Sequence, residues 1–269
     1  MTLQTSYKNT KIILSAQKTI LIGFTFLFIL SLFSCKPSQK TTSKSSDTSS
    51  INPDSKVTYL ALGDSYTIGE SVKIRERYPI QLAERIEFLS KNNENEQRIY
   101  FEEPKIIAKT GWTCEELLTA IRLEEQKNEL KQKYDIVSLL IGVNDQYDKE
   151  DSLKYEGRFE KLLQKAISLA GKKASNVFVI SIPDYGMTDY AKSKKMDEQK
   201  ISQEIDYYNR INKKIALKYK VTYFDITPIS RKAISDKSLI AKDGLHPSAE
   251  MYKEWVELMA DDVLSIIKN

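Results

Sequence analysis

Val57-Thr58-Tyr59-Leu60-Ala61-Leu62-Gly63-Asp64-Ser65-Tyr66-Thr67 reads as a short apolar strand that ends abruptly in turn residues. The run Val57–Leu62 is too short for an ordinary helix and is bounded by Gly and Asp, the pattern of a strand buried on both faces of a parallel sheet. It recurs at Ile106–Ala108, Ile136–Ile141, Val177–Ile182 and Val221–Phe224. Longer amphipathic stretches lie between, around Pro79–Ser90, Glu115–Lys127, Tyr155–Ala170 and Asp197–Tyr219, and a last one runs from Ala249 to Ile267. In that last stretch Met251, Trp255, Leu258, Met259, Val263 and Ile266 share one face at helical spacing. Alternation of strands and helices with right-handed crossovers predicts an α/β fold, a three-layer α/β/α sandwich around a five-stranded parallel sheet.

Composition is consistent with one core and excludes several chemistries. Of 269 residues, 41% are hydrophobic and 29% charged, enough to bury one sizeable core. The formal charge of +4 arises in the first 56 residues; from Val57 onward, 34 Lys and Arg face 35 Asp and Glu. Such a balance lacks the basic footprint of a nucleic-acid binder. Two cysteines, Cys35 and Cys114, are too few for a disulfide framework, and there is no CxxC pair for zinc or thiol chemistry. The single histidine, His246, excludes a multi-histidine metal site. Any mechanism with an imidazole base must use it.

The N-terminal segment has its own pattern. Lys8, Lys11 and Lys18 precede the apolar run Ile20–Phe33, shorter than the ~20 residues of a spanning helix and suited to a signal-peptide core. Leu32-Phe33-Ser34-Cys35 resembles the lipobox of bacterial lipoproteins, which implies a signal peptide over residues 1–34 and a lipid on Cys35. An uncleaved anchor with an incidental cysteine is the alternative. Both place the rest of the chain outside the cytoplasm, and the lipobox implies the bacterial cell envelope. Residues 35–56 are rich in Ser and Thr, with Ile51 the one large aliphatic, and read as a flexible tether to a domain at 57–269.

Reactive groups gather at the carboxyl ends of parallel strands. The first strand exits into Gly63-Asp64-Ser65, where a serine at a strand-to-turn junction can expose its hydroxyl at the sheet rim; the same residues also serve ordinary turns. The second exits into Lys109-Thr110-Gly111-Trp112, where Gly111 can bring a backbone N–H close to a substrate, or simply turn the chain. The third exits into Gly142-Val143-Asn144-Asp145; the Asn144 amide is a turn former and also a neutral donor for an oxyanion. Asp145 reads as structural. In Asp243-Gly244-Leu245-His246-Pro247-Ser248, an aspartate three residues before a histidine can accept from Nδ1–H and leave Nε2 free to take a proton. Ser248 is a candidate N-cap for the closing helix.

Together these four blocks, in this order at successive strand exits, resemble the SGNH or GDSL hydrolase family from about Val57 to the C-terminus. The departures are Tyr66, where the family name has leucine, and the second block, which keeps only Gly111. The resemblance implies a serine esterase or acylhydrolase without metal or organic cofactor. Ser65 would be the nucleophile, His246 the base and Asp243 its partner, with Ser65, Gly111 and Asn144 forming the oxyanion hole. A small-molecule ester is then the expected substrate, small or medium acyl esters before long-chain lipids, with acetylated glycans in range, and the chain is expected to be a monomer. The rival reading is a non-catalytic lipoprotein that binds an acylated or glycan ligand in the same cleft. Cys114, at an expected helix start, is a second candidate nucleophile or a small buried residue. Tyr185–Lys200, with several lysines, is a candidate pocket wall or lid, or a solvated surface. Tyr66, Trp112 and Tyr147 are candidate pocket aromatics.

Overall fold

The computed structural model describes residues 56–91 and 98–269. The proposed signal peptide, Cys35 and nearly all of the tether lie outside them. The strands are β1 (Tyr59–Gly63), β2 (Lys105–Ala108), β3 (Ile136–Leu140), β4 (Val177–Ile180) and β5 (Thr222–Phe224). The helices are α1 (Ser65–Ile68), α2 (Tyr78–Lys91), α3 (Cys114–Gln126), α4 (Val143–Tyr147), α5 (Ser152–Leu169), α6 (Asp189–Ser193), α7 (Glu198–Lys218), α8 (Thr227–Arg231) and α9 (Ala249–Lys268).

All strands pair in parallel, in the order β2-β1-β3-β4-β5. Helices α2 and α9 pack together as one layer, and α3, α5 and α7 form the other, so the α/β/α sandwich expected from the sequence is the fold. β1, β3 and β4 are buried along their whole length, which is why they read as continuous apolar runs without alternation. The chain moves outward from β1 to β2, then returns past β1 to β3, so the order reverses between β1 and β3. A crevice opens at such a switch point, beyond the carboxyl ends of the strands. Gly63 is in register with both Ala108 and Leu140, so the three strands that deliver the first three blocks end at one level.

The closing helix ties the core to this rim. Trp255 and Tyr252 are fully buried, with ring centroids 5.0 Å apart, and Tyr252 Oη donates to the backbone oxygen of Tyr66 at 2.9 Å. The buried stripe of α9 includes Tyr252 and Val256, whereas Leu258 is 45% exposed. At about 100° per residue, Leu258 falls on the solvent-facing flank of that stripe, so the expected face was rotated slightly too far. Two strand ends differ from the sequence reading by two residues. Val57 makes only an isolated bridge to Phe101, and beyond Ile180 the Ser181 N–H makes a last bond to the Phe224 carbonyl at 2.9 Å while the Ile182 N–H turns to Asn209 Oδ1.

Candidate active site

Asp64 caps the single turn of α1 by accepting from the backbone N–H of Tyr66 at 3.0 Å, and this starts a helix at Ser65 directly after the strand. A serine at such a helix start keeps its backbone N–H unspent within the helix. At the second exit, Gly111 has φ +85°, a conformation open mainly to glycine, and an added Cβ would meet nothing within 4 Å. The glycine therefore answers a backbone requirement rather than crowding. At the third exit, Gly142 has φ +124° and lies against the Tyr155 hydroxyl, which an added Cβ would approach to 2.3 Å.

Each exit loop is bonded to a neighbouring loop. Asn144 Nδ2 donates one of its hydrogens to the Trp112 carbonyl at 2.8 Å, leaving the other for the pocket. Asp145 accepts from the backbone N–H of Cys114, at 3.0 Å to Oδ2, so it also holds the start of α3. Thr110 Oγ1 donates to Glu70, joining the second loop to the segment after α1.

The fourth loop carries His246. Its Nδ1 lies 2.6 Å from Asp243 Oδ2, and Asp243 Oδ1 accepts from the backbone N–H groups of Leu245 and His246 at 2.9 and 3.0 Å. The loop is clamped by Ala241 N–H donating to the His246 carbonyl at 2.8 Å, and Ser248 caps α9 as expected. Ser71 was not foreseen: its Oγ donates to Asp243 Oδ2 at 2.6 Å, the oxygen that also faces Nδ1. Nothing local in the sequence marks Ser71, because its partner lies 172 residues away. Burial works to raise the Asp243 pKa, but the hydrogen bonds from Ser71, His246 and the backbone outweigh it and hold the carboxyl at about 2.

Ser65, Gly111, Asn144 and His246 line one cavity of about 210 Å³, together with Tyr66, Thr110, Val143, Leu245 and three further tyrosines, Tyr147, Tyr185 and Tyr190. Ser65 and His246 are 5% and 8% exposed, so both are shielded yet open to the cavity. The Tyr66 ring meets the imidazole edge-on at 5.8 Å. Such a site combines a hydroxyl, a carboxylate-bonded imidazole and several N–H donors around one space, the parts that acyl transfer requires. Tyr185 and Tyr190, from the first half of the 185–200 segment, line this cavity. Trp112 is half-buried and packs against the core instead of lining the cavity. Cys114 is fully buried, and burial together with the Asp145 and Asp64 carboxylates pushes its thiol pKa well up. That is the opposite of an activated thiolate. Among the described residues there is no cluster of potential metal ligands.

The model of the GDSL-like lipase/acylhydrolase family matches residues 61–254. The fold is similar to that of TesA, with a TM-score of 0.57 and 16% identity over 78% of this chain and 99% of that one. It is likewise similar to a lipase/acylhydrolase from Enterococcus faecalis, with a TM-score of 0.54 and 17% identity over 78% and 96%. The acetyl xylan esterase AlAXEase gives 0.56 and 18% over 77% and 100%. Likeness at such identities concerns the fold alone. Among curated proteins no sequence match is found.

Proposed function

Because the chain belongs to the GDSL-like lipase/acylhydrolase family and is a carboxylic ester hydrolase, we propose that it cleaves small or medium acyl esters through Ser65, His246 and Asp243. Ser65 Oγ attacks the ester carbonyl while His246 Nε2 takes its proton. Asp243 faces Nδ1 and stabilises the imidazolium that forms. The backbone N–H groups of Ser65 and Gly111 and the free hydrogen of the Asn144 amide receive the oxyanion. Collapse of the tetrahedral intermediate expels the alcohol with the proton held by His246, and water then cleaves the acyl-serine by the same steps in reverse. The observation that carries this reading is the 2.6 Å approach of Asp243 to the only imidazole of the chain, on a cavity that Ser65 also lines.

The cavity volume supports the small end of this range. A cavity of about 210 Å³ lies below the ~300–1,000 Å³ of sites for drug-sized ligands, and favours a short acyl group. Four tyrosine rings on its wall offer flat apolar faces with polar tips, which suits a sugar ring, and an acetyl xylan esterase shares the fold. Acetylated glycans are therefore included in the proposed range. A fluorophosphonate should label Ser65, and Ser65→Ala should lose about 10⁶ in kcat on p-nitrophenyl acyl esters and acetylated saccharides. Undiminished turnover by Ser65→Ala would overturn the mechanism, and folded protein that resists labelling would favour a ligand-binding protein.

On the sequence alone, we also infer that residues 1–34 are a lipoprotein signal peptide and that a lipid on Cys35 tethers the 57–269 domain to a membrane of the bacterial envelope. Among the described residues no helix is long and apolar enough to cross a membrane. Metabolic labelling with a fatty-acid probe should mark the protein and fail on Cys35→Ser.

A further inference from the structure

Beside the pocket that holds Ser65 lies a second cavity of about 490 Å³, lined among others by Lys149, Lys194, Lys195 and Lys200, with Asp197 and Glu204 as its carboxylates. Tyr147 and Tyr185 line both cavities, so the two adjoin. Both carboxylates are engaged. Asp197 caps α7, accepting from the backbone N–H of Lys200 at 3.0 Å. Glu204 accepts from Gln146 Nε2 at 2.7 Å and lies 3.9 Å from Lys200 Nζ. Lys149, Lys194 and Lys195 form no ion pair among the described residues. The Lys194 ammonium lies 5.9 Å from the ring centroid of Tyr190, a wall of the Ser65 pocket.

Composition does not account for this. From Val57 onward the chain is nearly neutral, 34 bases to 35 acids, yet this cavity gathers four lysines against two carboxylates. Ammonium groups on flexible stems suit phosphate and carboxylate ligands as point charges, and a concave site with an excess of one sign of charge concentrates the opposite sign. We propose that this cavity is an anion subsite: the substrate is an ester that also carries a phosphate or carboxylate, which sits among these lysines while its ester group lies at Ser65. The ester half of this statement rests on the hydrolase reading, and the anion half does not.

Matched substrates test it. p-Nitrophenyl hydrogen adipate adds a carboxylate to p-nitrophenyl hexanoate, and monobutyryl glycerol phosphate adds a phosphate to monobutyryl glycerol. The anionic member of at least one pair should have the higher kcat/KM, and which pair responds tells carboxylate from phosphate. The variant Lys194→Gln/Lys195→Gln/Lys200→Gln should lower the anionic-to-neutral ratio about tenfold, mostly through KM, as three exposed ion pairs of ~0.5 kcal/mol would. Lys172→Gln/Lys173→Gln/Lys220→Gln, the same charge change at the amino ends of β4 and β5, should leave that ratio unchanged. A wild-type ratio at or below one for both pairs, or one indifferent to the first set of replacements, overturns the subsite. Calorimetric titration of Ser65→Ala with inorganic phosphate reads it without turnover: binding that disappears with the lysines supports the site even if every ester proves inert. Normal ester turnover with no phosphate binding and flat ratios overturns the subsite and leaves the hydrolase intact.

Discussion

The loop that carries His246 and the exits of β1 and β3 each place an aspartate next in the chain to, or in contact with, residues that line the pocket, and treat them in opposite ways. Asp243 accepts from Ser71, from two backbone N–H groups and from the imidazole side, and its pKa falls to about 2. Asp64 is fully buried and its Oδ2 has no partner among the described residues; burial pushes its pKa to about 8 despite the bond from Tyr66 N–H, and Asp145 adds repulsion. Burial likewise raises Asp145 to about 6. The balance between burial and the donors around the carboxylate decides the outcome in each case. In the mechanism proposed above, this leaves an anion facing the imidazolium. At neutral pH it keeps a charge off the buried Asp64, the residue before the proposed nucleophile.

The sharpest way to break this contrast is to neutralise each aspartate in turn. Asp243→Asn should cost about 10⁴ in kcat, measured on a p-nitrophenyl ester, whereas Asp64→Asn should change kcat only a few-fold. Equal losses would end the distinction. Ser71→Ala should lower kcat roughly threefold to tenfold by loosening Asp243. Ser71 has φ +66°, so Ser71→Gly relieves the backbone while removing the hydroxyl. It should lose as much activity as Ser71→Ala if the hydroxyl is what positions Asp243, and recover if backbone strain is the cause. Because the folded Asp243 pKa lies below the unfolded value of 3.8, its stabilisation is present above about pH 4 and lost as pH falls towards 2. The stability deficit of Ser71→Ala in urea unfolding should accordingly shrink from pH 5 to pH 3.

Asp64 runs the other way. Its folded pKa of about 8 lies above 3.8, so the native state holds the proton longer and stability falls as pH rises between about 4 and 8. Asp64→Asn, which keeps an acceptor for Tyr66 N–H, should raise Tm by at least ~3 °C at pH 8 and by almost nothing at pH 4. A uniform shift at both pH values would show that the effect is packing and not charge.

What could be read from the chain follows the range of the forces involved. Five short strands and the five long helices are local patterns of apolar spacing, and they emerge within two or three residues of their ends. Ser65, Asn144, Asp243 and His246 were visible because strand exits concentrate reactive groups and because one histidine leaves no choice of base. The short helices α1, α4, α6 and α8 were missed because four or five residues form about one turn, too little for a period to show. Ser71, Tyr185 and Tyr190 depend on loops meeting in space, and the Ser71 to Asp243 bond closes across most of the domain. Asp145 reads as structural from the sequence, but that it holds the start of α3 does not show there, because its partner lies 31 residues away.

The solitary imidazole, set edge-on to the Tyr66 ring, gives this molecule a built-in spectroscopic label. Its carbon-bound ring protons make up the whole histidine region of the proton magnetic resonance spectrum, displaced by the ring current of the tyrosine. Ligand entry, loss of the Ser71 hydroxyl or rotation of the ring can each be followed at that one resonance, without isotope editing or any attached dye.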